Sequence, residues 1–587
     1  MSARDDLQRL QQAADAPLYE PKPRFEVNDS GVYFIDVKHD DASGQALEKP
    51  PVRLCDRLDL IGRGEDEAGN QYRILQWRSR GSHAVRRMAF PLGLAGEREG
   101  WVNLRNKGLA IATQRGLQDK LAKYLQEEGS DAMHHIAERG GWTHGAYIVP
   151  GGDVLGTPRE PIFYRGDIKD ASAYAPCGTL AGWRDGVARL ARGHSRVMLA
   201  LGCAFAAPLL DLVEMEAGGF HLYGDSTDGK TTAGRAGASV WGHHDKTKLA
   251  WDGTALGLAN AAAARNDCLL FLDEVGQGDP NAVSLLAYRL FNGVGKAQGA
   301  REGGNREQPR WRVLVFSTGE HPVSEVLKAG SGRIKAGQSV RLPSIAADAG
   351  KGYGVFETLH GYPSAKALAD DLKRQCGEHY GTAGRAFIEY VAPRREELAE
   401  LIREQVGAWC AALPPSASQA ARVVSRFAVV ALALELATRA GITGWAEGEA
   451  HEAIHALMRA WLQRNGTGKH EDRAIVEQAE AFLALHGYSR FVLLPMADNE
   501  PRVANMAGYK RYDTDGNPEY IVFPPVFEAE VIAGHDLAKA QKVLADHGLL
   551  KRAGDGRLKT MVRTPCKPSG GRFYLLVSAG DEDGDAF

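Results

Sequence analysis

Between Gly224 and Thr231 the chain reads Gly-Asp-Ser-Thr-Asp-Gly-Lys-Thr, two glycines with four residues between them, then lysine and a hydroxyl residue. Few stretches of this length restrict a fold so strongly. Two glycines let backbone N–H groups curl around an anion, a lysine in that place reaches the outer phosphate oxygens, and the hydroxyl can hold a divalent cation. The loop must leave a strand and enter a helix, whose N-terminus supplies the remaining donors. The neighbours comply: apolar Phe220-His221-Leu222-Tyr223 precedes it, and small residues at helical spacing follow. Gly224, Asp225, Ser226, Thr227, Asp228, Gly229, Lys230, Thr231 and Thr232 are therefore expected around bound ATP, with Mg²⁺ on Thr231. Asp228 puts a carboxylate near the phosphates, and its side chain is expected to point outward.

Cys268-Leu269-Leu270-Phe271-Leu272-Asp273-Glu274 is an apolar run ending in two carboxylates. It suits a strand buried on both faces of a parallel sheet, with its charged tip where ligands bind. Asp273 is expected to support Mg²⁺, and Glu274 to orient and polarise the water that attacks the γ-phosphate. The alternative is an acidic turn after a core strand. The next strand, Trp311 to Phe316, ends in Ser317-Thr318-Gly319-Glu320. In the additional-strand (AAA+) branch of nucleotide hydrolases, which this arrangement resembles, a polar residue at that tip contacts the γ-phosphate or positions water. Thr318 is the matching residue, although a Ser/Thr turn ending a strand reads the same way.

A chain of 587 residues exceeds one core and implies about three or four domains. Its 44% hydrophobic and 25% charged residues are ordinary for a globular protein, and a net charge of −3 gives no global pull toward nucleic acid. Seven scattered cysteines without a C-x-x-C pair, and no basic-then-apolar leader, lead us to expect a reducing cytoplasm. His134-His135 and His243-His244 are adjacent pairs whose side chains diverge, which favours structural roles over zinc ligation. Val197 to Val213 nears the length of a membrane span but carries Pro208 and Asp211, so a buried helix is expected instead.

The patterning divides the chain into a polar tail (1–20), an α+β N-terminal domain (21–185), a nucleotide-binding α/β core with a parallel sheet (186–362), a helical lid (363–465), a winged-helix-like domain (466–578) and an acidic tail (579–587). Strands are expected at Val32–Val37 and Tyr72–Trp77, one helix near Gly108 to Glu128, and a hairpin turning at Pro150-Gly151-Gly152. Asp279-Pro280 is an N-cap followed by proline at the first helical position, so a helix is expected from Pro280 to about Asn292. Arg422 and Arg426 on the long Ala417 to Ala440 pattern could reach the phosphates, or pair with Glu435.

Lys296 to Arg310 offers two polar arms around Gly303-Gly304-Asn305 and is expected to form a hairpin. Four basic residues against two glutamates give it a basic bias. Helicases of superfamily III and of the MCM class carry a DNA-gripping hairpin in the corresponding place, so Lys296, Arg301 and Arg306 are expected to contact DNA phosphates. Arg333, with Arg341 second, is the candidate for an arginine supplied to a neighbouring subunit's nucleotide. At the C-terminal end, Lys539, Lys542, Lys551, Arg552, Arg557, Lys559 and Arg563 fall on the recognition helix and wing of the expected winged helix, with strands at Leu549–Lys551 and Leu558–Arg563.

Taken together, Gly141-Trp142, Phe220 to Ser226, Gly229 to Thr232, Leu272-Asp273-Glu274, Ser317 to Glu320, Lys335 to Gln338 and Leu359-His360-Gly361 resemble the bacterial and phage family called domain of unknown function 927. The resemblance implies a cytoplasmic ATPase tied to replication of mobile DNA and similar to self-loading AAA+ helicases of mobile elements. Together with the basic hairpin and the C-terminal cations, it leads us to expect a homo-hexamer working on single-stranded DNA, away from membranes, with duplex contacts through its C-terminal domain. Two other readings remain open at this point: an ATP-switched DNA-binding initiator or regulator that does not unwind, and a RecA-type motor.

Overall fold

The computed structural model describes residues 21–39, 46–166, 168–278, 280–296, 308–329, 340–415, 417–466, 470–496 and 503–577. The expected tails at 1–20 and 579–587 lie outside them, as do Arg301, Arg306 and Arg333. The chain divides into two compact units, Met1–Ala171 and Ser172–Phe587.

The first unit combines a mixed five-stranded sheet, small antiparallel sheets and two helices, Arg98–Asn106 and Arg115–Glu127. Gly108 follows the first helix with φ +83 and ends it, so the single helix expected near Gly108 to Glu128 begins instead at Arg115. Trp77, Phe90, Trp101, Leu104, Leu121 and Leu125 meet in one apolar cluster. Arg73 is buried without a carboxylate among its bonds, yet its guanidinium donates to the carbonyls of Leu125, Gln126 and Ser130 at 2.9, 2.9 and 3.2 Å. It satisfies the carbonyls that the end of the second helix leaves open. The expected Pro150-Gly151-Gly152 turn is one of two, because Ala146–Ile148 pairs with both Gly141–Thr143 and Val154–Leu155.

In the second unit five strands, β1 (Gly218–Tyr223), β2 (Leu249–Ala250), β3 (Leu269–Asp273), β4 (Leu314–Gly319) and β5 (Ser344–Ala346), form one sheet in the order β2-β3-β4-β1-β5. Every neighbouring pair is parallel. β3 and β4 are buried along their whole length, as strands covered on both faces must be. Leu270, Leu272, Val313 and Val315 point toward helices α3 (Ala255–Ala264) and α4 (Pro280–Asn292), where they join Val283, Leu286 and Leu290. The opposite face carries Phe271, against which helix α2 (Lys230–Ser239) lies so close that a Cβ on Gly234 would stand 2.2 Å from the ring. The small residues of α2 therefore set how near the helix sits to the sheet.

Helix α1 (Ser195–Ala206) is apolar and buried on every side beyond its first two residues, Ser195 and Arg196, and packs on α2 and on the long helix α6 (Ser418–Arg439). With its extension to Val213 it is the one helix among the described residues long and apolar enough to cross a membrane, and 83% of that window is buried inside the protein. Between the sheet and α6 come α5 (Ala365–Glu378) and helices Thr382–Val391 and Arg395–Ala411, and α7 (Glu449–Asn465) follows α6.

Arg426 does not approach the phosphate loop. Its Nη1 donates to the Val340 carbonyl at 3.2 Å, beneath Gly218 at the opposite end of β1, and burial pushes the guanidinium down to about 10. Arg422 is exposed. Glu435 pairs with neither; it accepts the Gly448 and His451 amides at 3.0 and 2.9 Å at the start of α7. A carboxylate at a helix N-terminus needs no arginine partner.

The C-terminal sheet has the strand order Phe491–Leu493, Gly508–Tyr512, Pro518–Val522, Lys567–Val577, Thr560–Thr564, against which helices His470–His486 and Leu537–Asp546 pack. The strand expected at Leu549–Lys551 reduces to a single bridge, Leu550 to Leu576; the chain then turns at Gly554-Asp555-Gly556, where the Ala553 and Gly556 amides donate to the Arg557 and Ala553 carbonyls, both at 2.8 Å, and Thr560–Thr564 pairs with Lys567–Val577 through a turn at residues 565–566. Several of the cations expected there to contact DNA pair with acids in the structure: Lys551 with Glu519 at 2.5 Å, Arg552 with Asp546 at 3.2 Å and Lys559 with Glu528 at 3.6 Å.

Candidate nucleotide site

The phosphate loop joins β1 to α2. Gly229 caps α2 with φ +79, a left-handed conformation that side chains resist, and Lys230 is the first helical residue. Lys230 is 3% exposed; its Nζ donates to the carbonyls of Gly224 and Asp225 at 2.8 and 2.5 Å. The ammonium thus closes the loop on itself. Asp228 does not point outward. Its carboxylate turns back and accepts the Asp225 amide at 2.8 Å, because a carboxylate satisfied by a nearby N–H is cheaper than one left idle beside the loop. A cavity of about 330 Å³ opens beside residues 226–232 and Glu274.

Asp273 is the hub of the site. Thr231 and Thr318 both donate to Oδ1, at 3.0 and 2.5 Å, and Lys248 Nζ stands 3.0 Å from Oδ2. Thr318 completes the arrangement by accepting the Glu274 amide at 3.1 Å. The tips of β3 and β4 and the first turn of α2 therefore converge on one buried carboxylate. Glu274 itself sits at φ 58 and ψ 70, left-handed although not glycine. Residues in such conformations persist only where their surroundings hold them, and they gather at functional sites.

The residues fit a nucleoside triphosphate with a divalent cation: a glycine-shaped anion cradle, a buried lysine held only by neutral carbonyls, and a hydroxyl paired with a carboxylate. Thr231 and Asp273 are the groups that would hold Mg²⁺.

The far wall of the cavity was not legible in the motifs. Tyr353, Phe356 and Lys366 line it together with the start of α5. Gly350, Gly352 and Gly354, with φ of +72, +76 and +62, fold this segment back onto the loop, and the Val355 amide donates to the Asp228 carbonyl at 2.8 Å. Alternating glycines around one tyrosine were the available signal. Arg196 fixes the approach by donating to the carbonyls of Ala346 and Asp348 at 3.2 and 3.0 Å. Burial works against ionisation of Glu357, but hydrogen bonds with His194 and Ser195 and the Arg196 charge hold its carboxyl below the usual range and anchor the segment's other end.

Beneath the site, His221 on β1 reaches two groups on or just beyond β4. The His321 carbonyl, 3.0 Å from Nε2, can only accept, so Nε2 carries the proton. Nδ1 then accepts the Ser317 hydroxyl at 2.9 Å, and Ser317 in turn accepts the Trp251 indole N–H at 2.9 Å. Burial, with the Lys230 charge adding to it, pushes this imidazole from 6.5 down to about 4. The unfolded chain therefore takes up a proton that the folded one refuses, and the contribution of His221 is fully present above pH 6.5 and lost as pH falls toward 4. Urea denaturation at pH 7, 5.5 and 4.5 is expected to show a loss in the wild type exceeding that in His221→Gln by up to about 3 kcal/mol. Equal losses would refute the assignment.

Of the remaining expected site residues, Lys296 is exposed at the foot of the expected hairpin. Val294 bridges Arg310, the Gly295 amide donates to the Pro309 carbonyl at 2.7 Å and the Trp311 amide to that of Gly293 at 2.9 Å, so the two feet run antiparallel. Arg341, the second candidate for the trans-acting arginine, binds Asn292 at 2.8 Å and Glu216 at 3.0 Å. Among the expected site residues, Lys230, Thr231, Asp273, Glu274 and Thr318 are brought together. Lys248 had not been expected there.

Residues 25–310 match the model of a family described as domain of unknown function (DUF927). A search of the curated proteins found no match. Among solved structures, the one titled "SCCmec type IV Cch - active helicase" superposes with a TM-score of 0.69 at 18% sequence identity, covering 96% of this chain and 98% of that one. At this identity the likeness is one of fold. Thr318 and the motifs at Lys335–Gln338 and Leu359–Gly361 lie beyond the family match. The phosphate loop, Asp273 and Glu274 lie within the part of the chain that the DUF927 model matches, and the fold shared with that structure extends over 96% of the chain.

Proposed function

We propose that this chain is an ATP-hydrolysing DNA motor of the AAA+ type, a cytoplasmic helicase of a phage or mobile element that translocates on single-stranded DNA as a homo-hexamer. One observation carries the reading: β4 lies between β1 and β3, so that Thr318 and Asp273 share a hydrogen bond beside the phosphate loop. That order is what an additional-strand ATPase requires, and the fold shared with a structure titled as an active helicase supports the same conclusion.

In this mechanism Lys230 exchanges its two loop carbonyls for the β- and γ-phosphate oxygens, which carry more charge. Mg²⁺ held by Thr231 and Asp273 would neutralise phosphate charge. Glu274, which lines the cavity, orients and polarises the attacking water. Thr318, tied to both Asp273 and the Glu274 amide, reports the state of the γ-phosphate to the backbone of the catalytic carboxylate. Arg333 completes the neighbouring subunit's site. Lys296, Arg301 and Arg306 grip DNA phosphates, and the C-terminal domain, read as a winged helix, contacts duplex DNA during loading.

The reading is tested by ATPase rate with and without single-stranded DNA, alongside mass measurement with nucleotide bound. Stimulation by DNA and a six-fold mass are expected. Lys296→Glu is expected to keep the basal rate, since its side chain lies outside the site, and to lose most of the stimulation. Full stimulation and wild-type unwinding by that variant would sink the DNA-gripping role.

A further inference from the structure

Asp273 has one partner more than the mechanism uses. Thr231 and Thr318 occupy Oδ1, while Lys248 places an ammonium 3.0 Å from Oδ2. A carboxylate that helps hold a divalent cation needs its charge available, and an ammonium sharing that carboxylate repels the cation strongly at such range. The backbone bearing Lys248 is fixed beside the carboxylate. Leu249 and Ala250 of β2 pair with Leu272 and Asp273, and Trp251 is tied to Ser317 next to Thr318. The Lys248 side chain, however, is 29% exposed and has room to leave. Asp245, bound to Arg235 at 2.9 Å, lies within electrostatic reach and offers a second seat for the ammonium.

Resting on the nucleotide-site reading above, we propose that Lys248 is a positioning residue that competes with Mg²⁺ for Asp273, so that metal loading requires the lysine to be displaced. The competition is reciprocal: whatever draws Lys248 away tightens the metal, and the metal loosens Lys248. Lys248 thereby sets the Mg²⁺ concentration at which the site becomes competent, without touching nucleotide.

The test follows binding rather than turnover. Mg²⁺ is titrated against a fixed concentration of fluorescent ADP, read by anisotropy, for wild type, Lys248→Met, Lys248→Arg and Lys230→Ala. Lys248→Met is expected to half-saturate at about tenfold lower Mg²⁺, the scale of a typical coupling between two ligands, with metal-free ADP binding unchanged and Lys248→Arg close to wild type. An unchanged or raised Mg²⁺ requirement, in a variant that melts like wild type, overturns the proposal. Lys248→Gln, neutral and nearly as long, carries the same test if the methionine variant does not fold. Failure of the underlying site reading looks different: wild-type ADP binding would then ignore both Mg²⁺ and Lys230→Ala.

Discussion

Lys230→Ala is expected to reduce ATP turnover by about 1,000-fold, the scale on which one preorganised contact to developing transition-state charge is lost. The variant should still fold. In the structure the ammonium is held by two carbonyls of its own loop and stands 3% exposed, so its removal strands Gly224 and Asp225 acceptors beside an open cavity rather than a buried carboxylate. Losing such bonds costs about 1–3 kcal/mol, a fraction of what holds a parallel sheet with helices on both faces. Lys230→Arg is expected to fail as well, because a planar five-donor fork does not fit a cradle shaped around a point charge. Steady-state turnover with a melting curve for each variant separates the two effects. A wild-type rate in Lys230→Ala would discard the site assignment, whereas a lost rate accompanied by unfolding would leave catalysis to be judged from Lys230→Arg.

What could be read from the sequence here was local, and what could not was a matter of which segments meet. The loop, the helix from Pro280 to Asn292 and the buried strands all announce themselves through short-range rules: glycine spacing, proline at a first helical turn, unbroken apolar runs. Thr318 could be placed because a strand tip is visible as the end of such a run. Lys248 could not, since it precedes a two-residue strand whose pairing with Asp273 is set by the sheet alone. Tyr353 and Lys366 escaped notice for the same reason, being more than 120 positions from the loop they face. Arg426 misled in the other direction: an arginine on an apolar helix suggested a reach for phosphate, and it is instead buried under the far end of β1. At the C-terminal end the segments expected as strands at Leu549–Lys551 and Leu558–Arg563 do not pair with each other but each meet Lys567–Val577, and the Thr564 to Lys567 turn that brings this strand back carries no glycine to announce it.

Glu274 separates catalysis from stability in a way that few residues of this chain can. Its backbone is left-handed at φ 58, a conformation that costs a side-chain-bearing residue of order 1 kcal/mol and costs glycine almost nothing. The conformation is enforced by its amide bond to Thr318 and by the tight turn Val275–Gln277 that follows. Glu274→Gln keeps the backbone and the size but cannot take a proton from water, so turnover is expected to fall by roughly 10²–10⁴-fold while ATP binding persists and nucleotide accumulates on the protein. Glu274→Gly is expected to lose turnover equally, yet to melt at a higher temperature than wild type, because the strain disappears with the side chain and the amide bond to Thr318 remains. Two variants at one position thus share a sign in activity and differ in stability. If Glu274→Gln hydrolyses ATP at the wild-type rate, the carboxylate is not the water-orienting group. If Glu274→Gly melts lower than wild type, the side chain is stabilising, and the left-handed turn is not strain retained for the sake of the reaction.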